Sequence, residues 1–190
     1  VPGVVSRELL ADGLIHQDFE MGGVSPTIEV FSNRVELPNP GQPIVPVERF
    51  IYGHQSRNEL LADLMRRFGI CEEKSSGIDR VIESAELMQL PAPEFLTGHK
   101  RTTVVIYGPR AFREMNGSDR VRACYQHCVL QYVLRKQMTN QSLRERFGLS
   151  EGSSNTVSQI ITATMEQRLV KNDPNAPDSR RYARYIPIWA

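Results

Sequence analysis

Residues 139–169 read TNQSLRERFGLSEGSSNTVSQIITATMEQRL. Leu143 and Phe147 lie one helical turn apart with a glycine after them, which predicts a short helix over 139–147. A polar turn leads into a longer apolar stripe, which predicts a second helix over about 154–169. The residues expected to point inward from this helix are Val157, Ile160, Ile161, Thr164, Met165 and Leu169. Two helices joined by a tight polar turn are typical of a helix-turn-helix.

The segments on either side extend this pattern. A preceding helix is predicted from an apolar face that comprises Val121, Cys124, Tyr125, Cys128, Tyr132 and Val133. After the longer helix, two strand-like segments, 170–171 and 182–189, enclose a polar, proline-containing tip at 173–177. Three helices followed by a β-hairpin are the order of a winged helix-turn-helix, which this part of the chain is therefore predicted to form.

Charge divides the chain just before these helices. The turn Asn116-Gly117-Ser118 predicts a boundary between a first domain, 1–117, and a second domain, 118–190. The 190 residues are 40% hydrophobic and carry 23 Lys and Arg against 22 Asp and Glu, so the net charge is only +1. The first domain has 12 basic and 16 acidic residues, a net −4, whereas the second has 11 and 6, a net +5. The excess of positive charge indicates a polyanionic partner for the second domain.

The basic second domain predicts a contact with duplex DNA. A helix-turn-helix places the start of its last helix in the major groove, and a basic hairpin can follow the phosphates. The candidate groove residues are Ser154, Asn155, Thr156, Ser158 and Gln159, and the candidate phosphate contacts are Lys171, Arg180, Arg181 and Arg184. The alternative is that this domain mediates protein contacts or dimerisation and that its arginines are only solvated.

The first domain mixes helices and strands, so the fold class of the whole chain is α+β. The predicted helices cover 6–17, capped by Ser6, 58–68 and 78–90, and the predicted strands cover 27–31, 35–37 and 102–107. The proline-rich segment 38–46 is expected to be a loop. The face of the 58–68 helix expected to be buried comprises Leu60, Leu61, Leu64, Met65 and Phe68.

Several motifs of this chain occur together in one family. They are Arg7-Glu8-Leu9-Leu10-Ala11-Asp12-Gly13, Ile15-His16-Gln17-Asp18-Phe19, residues 29–36, Asn39-Pro40-Gly41, Arg57-Asn58 and residues 72–80, followed by residues 138–140, 142–147 and 185–189. With them the chain resembles the ATP-dependent DNA helicase RecG C-terminal-like family, which groups transcriptional regulators of bacteria and archaea. The resemblance implies an incomplete GHKL-ATPase-like α/β sandwich, similar to the ATPase domains of gyrase, histidine kinases and MutL, followed by the winged helix. It also implies a preceding Schlafen AlbA-like domain, which we expect to be missing because the chain starts without Met.

The same resemblance implies a tentative nucleotide site in the first domain. Glu8 matches a glutamate of the superfamily that serves catalysis, and Asp12 stands where an asparagine that binds Mg²⁺ is expected. Asn39 and Gly41 belong to the loop that stands in place of a fuller Asp-x-Gly-x-Gly, and Gly77 belongs to a remnant of the second glycine motif. ATP with Mg²⁺ is the cofactor that such a site implies. The alternative is that Gly41 serves a turn, that Gly77 permits a tight entry to a helix, and that Glu8 and Asp12 lie on a solvated face.

The sequence lacks the parts of a helicase motor. It contains no G-x-x-x-x-G-K-[ST] phosphate loop and no acidic DExH-type box. No Ser/His/Asp or paired-carboxylate arrangement stands out, so no catalytic residue is predicted; nucleotide binding stays open, whereas ATP hydrolysis is not expected. The two competing functions are a DNA-binding transcriptional regulator fragment and an ATP-binding GHKL-like module whose winged helix serves protein assembly.

The motif Cys124-x-x-His127-Cys128 places three metal-ligand types on one helix face. A structural zinc site needs four ligands, and both cysteines lie on the predicted apolar stripe, so core packing and no metal are predicted. The 3 cysteines are a sparse set, and no apolar run approaches the ~20 residues of a membrane span. These features predict a cytoplasmic protein without membrane contact, with homodimerisation left open.

Overall fold

The computed structural model describes residues 3–51, 53, 55–71, 77–177, 179 and 182–190. The chain divides into two compact units, which are described one at a time below. The first unit is Val1–Ala85 with Pro93–Gly108, and the second is Glu86–Ala92 with Pro109–Ala190. Helices and a small antiparallel sheet make the fold α+β, as predicted. The assignment of an ATPase-like domain to 1–117 and a winged helix to 118–190 stays a prediction.

The first unit is built on a four-stranded antiparallel sheet in the order β1-β2-β4-β3. Its strands are β1 (Glu29–Val30), β2 (Arg34–Pro40), β3 (Glu94–Gly98) and β4 (Arg101–Tyr107), and its helices are α1 (Gly3–His16), α2 (Glu59–Arg67) and α3 (Gly77–Leu87), which continues into the second unit. The predicted strands over 27–31 and 35–37 correspond to β1 and β2, which pair with Val30 opposite Val35. α1 begins at Gly3, so Ser6 lies within the helix and its prediction as the cap is wrong.

The prediction of a loop over 38–46 is wrong for its first three residues, because β2 continues through Pro40. Pro38 and Pro40 pair with Thr103 and Arg101 of β4. Their carbonyls accept from the backbone N–H groups of Thr27 and Asp18, at 3.1 and 2.9 Å, so both prolines turn their hydrogen-bonding side away from β4. The N–H that each proline lacks would lie on this same side, where β1 no longer runs beside β2. The two prolines therefore remove no hydrogen bond from the β-ladder.

Among the described residues, the core of the first unit includes two clusters of buried side chains. The first contains Leu9, Val81 and Ile106, and the second contains Ala11, Ile15, Ala62 and Met65. The predicted buried face of α2 is wrong for Leu60, Leu64 and Phe68, which are exposed. The inner face of α2 is centred on Ala62 and Met65, so the residues at i, i+4 and i+8 from Leu60 point the other way.

The described residues of the second unit form three α-helices followed by a two-stranded hairpin. They are α4 (Gly117–Val133), α5 (Asn140–Arg146), α6 (Ser154–Glu166), β5 (Val170–Asn172) and β6 (Tyr185–Pro187), and each was predicted to within a few residues. Met138 forms a bridge with Tyr185 and thereby adds a third short segment beside β6. Reciprocal side-chain to backbone hydrogen bonds fix the first turn of α4 through Asn116 and Asp119, at 2.8 and 3.3 Å.

The core of the second unit lies where α6 packs on α4 and α5. The fully buried side chains include Cys124, Cys128, Met138, Leu143, Val157, Ile161 and Thr164. The predicted apolar stripes of α4 and α6 are therefore confirmed at their central positions. Within the part of the chain that the structure describes, no helix combines the length and apolar character needed to span a bilayer.

Candidate functional sites

A cavity of about 540 Å³ opens in the first unit. Asp12, Asn39, Gly41 and Gly77 all line it, so the structure brings together four of the residues proposed for a nucleotide site. Glu8 lies in α1 one turn before Asp12, but its side chain is outside the described residues. Much of the remaining lining is apolar and includes Leu9, Leu37, Ile78 and Val104. A mainly apolar wall with a few polar groups is the usual composition of a small-molecule site.

Three polar side chains hold the carboxyl end of α1 against this cavity. Asn39 Nδ2 donates to the carbonyl of Gly13 at 3.0 Å, and Arg57 Nε donates to the carbonyl of His16 at 3.2 Å. Asn58 Nδ2 lies within 3.3 Å of the carbonyls of Leu14, Ile15 and Gln17. The last carbonyls of a helix have no partner within the helix, so these side chains satisfy groups that would otherwise be unbonded. The motif residues Asn39, Arg57 and Asn58 thus have a structural role.

Gly41 occupies a position that suits glycine alone. Its φ is +115°, and a Cβ placed there would lie 3.0 Å from the Cβ of Asp18. Its N–H donates to the Lys100 carbonyl at 2.9 Å, and its own carbonyl accepts from Thr102 Oγ1 at 2.8 Å. The turn after β2 is therefore held closely against the β3–β4 turn.

Asn39, a residue of the cavity wall, has one buried acceptor without a donor among the described residues. Asn39 Oδ1 is buried and makes no hydrogen bond within the described residues, whereas the Nδ2 of the same amide is used by Gly13. A buried acceptor without a donor is costly, and a ligand N–H would satisfy it. On the same wall, Asp12 Oδ1 lies 3.8 Å from His16 Nε2. No group of three or more His, Cys, Asp and Glu side chains in the described ranges is arranged to hold a metal ion.

In the second unit, α6 presents a polar face to solvent. Ser154, Asn155, Thr156, Ser158 and Gln159 are all exposed, and Val157, Ile160 and Ile161 are buried on the opposite side. Asn140 at the start of α5 connects the two helices, because its Nδ2 donates to Ser154 O at 2.9 Å and to Ser158 Oγ at 3.0 Å. The five predicted groove residues therefore form one surface at the start of α6.

The predicted phosphate contacts are placed less uniformly. Lys171 Nζ donates to the backbone oxygen of Ala190, so this ammonium is already engaged. Arg184 is half-buried, and Arg180 and Arg181 lie outside the described residues. Exposed cations that the sequence analysis did not single out are Arg135 and Lys136 after α4 and Arg168 after α6.

Part of the positive charge of the second unit is used internally. The carboxylate of Asp119 forms ion pairs with Arg110 Nη1 at 2.9 Å and with Arg122 Nη2 at 2.7 Å. Arg146 is 5% exposed and donates to the Leu90 carbonyl at 2.7 Å. Burial lowers the pKa of Arg146, and the Glu86 carboxylate partly opposes this shift.

A buried polar network around His127 was missed by the sequence analysis. His127 Nδ1 lies 3.0 Å from Glu86 Oε2, and Nε2 lies 3.0 Å from Ser142 Oγ. The neighbouring cysteines pack in the core, as predicted, and burial raises the pKa of Cys124 to about 12 and also raises the pKa of Cys128. Because a metal ligand must be a thiolate, both thiols are poorly suited to metal binding. The signal in the sequence was a histidine on an otherwise apolar helix face, but its partner is 41 residues away.

Comparison with solved structures shows a related fold. The crystal structure of the DIP2311 protein from Corynebacterium diphtheriae matches with a TM-score of 0.56 and 14% identity, over 98% of this chain and 39% of that one. The chain therefore spans well under half the length of that protein. No match was found among proteins of curated function.

Comparison with protein families agrees with the motifs of the first half. Residues 23–106 match the family described as "Putative ATP-dependent DNA helicase recG C-terminal". The matched segment includes Asn39, Gly41 and Gly77 of the cavity wall and the Arg57-Asn58 pair that holds α1. The family model therefore matches, over residues 23–106, the family that the motifs predicted.

Proposed function

We propose that this chain is part of a transcriptional regulator that binds duplex DNA through its second unit. The observation that carries the proposal is the exposed polar face at the start of α6, opposite the buried stripe of the same helix. The order α4, Met138 bridge, α5, α6 and β5–β6 hairpin supports the interpretation of this unit as a winged helix-turn-helix. In that fold the last helix enters the major groove.

The side chains of this face favour A·T base pairs. Asn155 and Gln159 are four residues apart, so they lie on neighbouring turns of one helix face. Asn and Gln amides pair in bidentate fashion with the N6 and N7 edge of adenine, whereas guanine is most often read by Arg. Between Ser154 and Gln159 the sequence contains neither Arg nor Lys. We therefore expect a duplex with A·T pairs at the contacted positions to bind better than its G·C counterpart.

Binding to the phosphates depends on cations outside this face. Arg168 lies two residues after the end of α6, and Arg184 lies in the segment that leads into β6. Each phosphate contact releases condensed counterions, so affinity falls with salt in proportion to the number of contacts. Because several arginines are held in internal ion pairs, we expect a shallow salt dependence that corresponds to a few contacts.

Replacing Asn155 or Gln159 by alanine should weaken binding to an A·T-containing duplex by about 5- to 150-fold, the equivalent of ~1–3 kcal/mol for a bidentate base contact. The slope of log affinity against log salt should stay unchanged for these variants. Arg184→Ala should instead reduce the slope by about one unit with little change in base preference. Fluorescence anisotropy with paired A·T and G·C duplexes at several salt concentrations measures both quantities.

The matched control is Gln167→Ala, which removes an exposed amide just beyond α6. It should leave affinity and slope unchanged. A chain that binds neither duplex at low salt, or variants of Asn155 and Gln159 that bind like the parent, would contradict the proposal.

A second candidate function, nucleotide binding in the first unit, is favoured by the Asn39 acceptor. The cavity volume of about 540 Å³ falls within the ~300–1,000 Å³ of ligand pockets. Asn39 Oδ1 offers an acceptor for an exocyclic amine such as that of adenine. Asp12 supplies a carboxylate in the same wall, which is the hard oxygen ligand that Mg²⁺ prefers. These residues fit an adenine nucleotide with its metal ion.

ATP with Mg²⁺ is therefore expected to raise the stability of the first unit, by ~2.7 kcal/mol at a concentration 100-fold above Kd. Asn39→Ala should weaken this effect by about 5- to 150-fold in Kd, because the base amine loses its acceptor. Asn58→Ala is the matched control, since Asn58 also holds the end of α1 but is not in the cavity wall. Thermal unfolding with and without ligand provides the measurement. No ligand effect on the parent protein would leave Asn39 with a structural role only.

A further inference from the structure

A stripe of large apolar side chains runs along the outer face of α2. Leu60 is 90% exposed, Leu64 is 51% exposed and Phe68, directly after the helix, is 73% exposed. They are spaced at i, i+4 and i+8, so they form one continuous ridge. We call these three residues the outer stripe. The opposite face of the helix is already buried in the core through Ala62 and Met65.

Exposure of this kind requires an explanation. Single exposed apolar residues are normal, but adjacent ones on one face mark an interaction site. The outer stripe also brings no benefit to the folding of the first unit, because its side chains are left largely in water. A partner that presents a matching apolar ridge would remove that surface from water.

We propose that the outer stripe packs against the outer stripe of a second copy of this chain, with the two α2 helices antiparallel about a twofold axis near Leu64. Ridges formed by residues four apart interdigitate with ridges of the same kind, which is the commonest mode of helix packing. Leu60 and Phe68 are each four residues from Leu64. A twofold axis at Leu64 therefore places Leu60 of each copy against Phe68 of the other copy. A self-complementary surface of this type suits a symmetric dimer.

The charges beside the stripe select this arrangement. Asp63 and Arg67 lie on the same flank of the stripe and pair within the helix at 2.9 Å. In an antiparallel pair like flanks meet, so Asp63 faces Arg67 of the second copy and Arg67 faces Asp63 of the second copy. In a parallel pair, the flank with Asp63 and Arg67 would instead meet the other flank of the second helix. Leu61 lies on that other flank and packs against the core of its own unit, so it offers no charge. Charge complementarity therefore favours the antiparallel twofold arrangement.

The size of the surface predicts a weak dimer. Three side chains from each copy bury far less than the ~1,200 Å² at the lower end of standard interfaces. We therefore expect an equilibrium that depends on protein concentration, with monomer at the lowest concentrations and dimer at the highest.

Cysteine cross-linking tests the position of the axis. In a Cys71→Ser background, Leu64→Cys should form a disulfide-linked dimer on mild oxidation, because the two copies of residue 64 face each other. Leu60→Cys alone should not, since its two copies are about 12 Å apart along the helices, beyond the ~7 Å that a disulfide spans. Mixing Leu60→Cys with Phe68→Cys should give the cross-linked heteropair. The remaining cysteines, Cys124 and Cys128, are buried and serve as an internal check.

Charge exchange tests the orientation. Asp63→Arg should weaken dimerisation about tenfold at low salt, because each flank then carries like charges, and the double variant Asp63→Arg, Arg67→Asp should restore it. Sedimentation equilibrium measures the dissociation constant, and circular dichroism verifies that each variant is folded. A chain that stays monomeric at all concentrations, equal cross-linking at positions 60 and 64, or a double variant no better than the single one would overturn the proposal.

Discussion

Replacing Glu86 by alanine should lower the free energy of unfolding of the second unit by about 3–5 kcal/mol. The Glu86 side chain is only 14% exposed and lies 3.0 Å from Nδ1 of His127. The side chain of His127 is itself only 5% exposed. It is also the carboxylate that opposes the loss of charge of the buried Arg146. Without it, the buried Arg146 guanidinium loses a compensating charge and the buried His127 imidazole loses the partner of its Nδ1. An uncompensated buried charge is among the most costly defects in a protein.

Arg146 depends strongly on the Glu86 carboxylate because the guanidinium makes few hydrogen bonds of its own. Its Nη2 donates to Leu90, but Nε and Nη1 have no hydrogen-bond partner within the described residues. A group with unsatisfied N–H atoms has little other compensation for leaving water. Glu86→Gln should therefore cost less than Glu86→Ala, because the amide still offers an oxygen acceptor but carries no charge.

Tryptophan fluorescence follows this unit selectively. Trp189 is the single tryptophan of the sequence and lies in the second unit, where its Nε1 donates to Tyr125 OH at 3.3 Å. Urea unfolding monitored at Trp189 gives the change for each variant. Glu166→Ala is the control, since Glu166 is an exposed carboxylate at the end of α6 and should change stability by no more than ~0.5 kcal/mol. If Glu86→Ala behaves like this control, the buried network does not stabilise the unit.

The sequence predicted α5 and α6 well because their patterns are local. Leu143 and Phe147 one turn apart, or the stripe from Val157 to Thr164, identified α5 and α6 because burial follows the helical period along a short stretch. β3 was missed since only Phe95 and Leu96 are apolar in it, and it forms by pairing with β4 across a turn at Lys100, whose φ is +54°. Strand pairing is decided by neighbours, not by the strand itself.

Errors arose where the tertiary context chose between local possibilities. The outer stripe of α2 looks like a core face from sequence, because Leu60, Leu64 and Phe68 are more apolar than Ala62, which is the residue that is buried. Only the neighbouring α1, packed against Ala62 and Met65, decides which side faces inward. For the candidate site, family resemblance brought Asp12, Asn39, Gly41 and Gly77 together, but their hydrogen bonds with α1 and β4 connect residues far apart in sequence.

Gly41→Val and Gly13→Ala, two substitutions in the wall of the same cavity, should have opposite effects on the first unit. At Gly41 a side chain must adopt φ +115°, which costs ~1–3 kcal/mol, and its Cβ would lie 3.0 Å from the Cβ of Asp18. Overpacking of a closed turn adds ~1–3 kcal/mol, so we expect a loss of ~2–6 kcal/mol in total. The hydrogen bonds of Gly41 with Lys100 and Thr102 would be strained as the turn moves away from Asp18.

Gly13 lies inside α1, and an added Cβ would have no heavy atom within 4 Å. Alanine there should stabilise the unit by up to ~1 kcal/mol, because glycine is the poorer helix former. Amide hydrogen exchange of the β2–β4 ladder measures the stability of the first unit, whereas the fluorescence of Trp189 would report on the second unit. Since both substitutions add bulk to the cavity wall, a general sensitivity of the cavity to bulk would destabilise both variants. If the two substitutions change the stability of the first unit in opposite directions, the loss at Gly41 comes from the conformation of its turn and not from the space in the cavity.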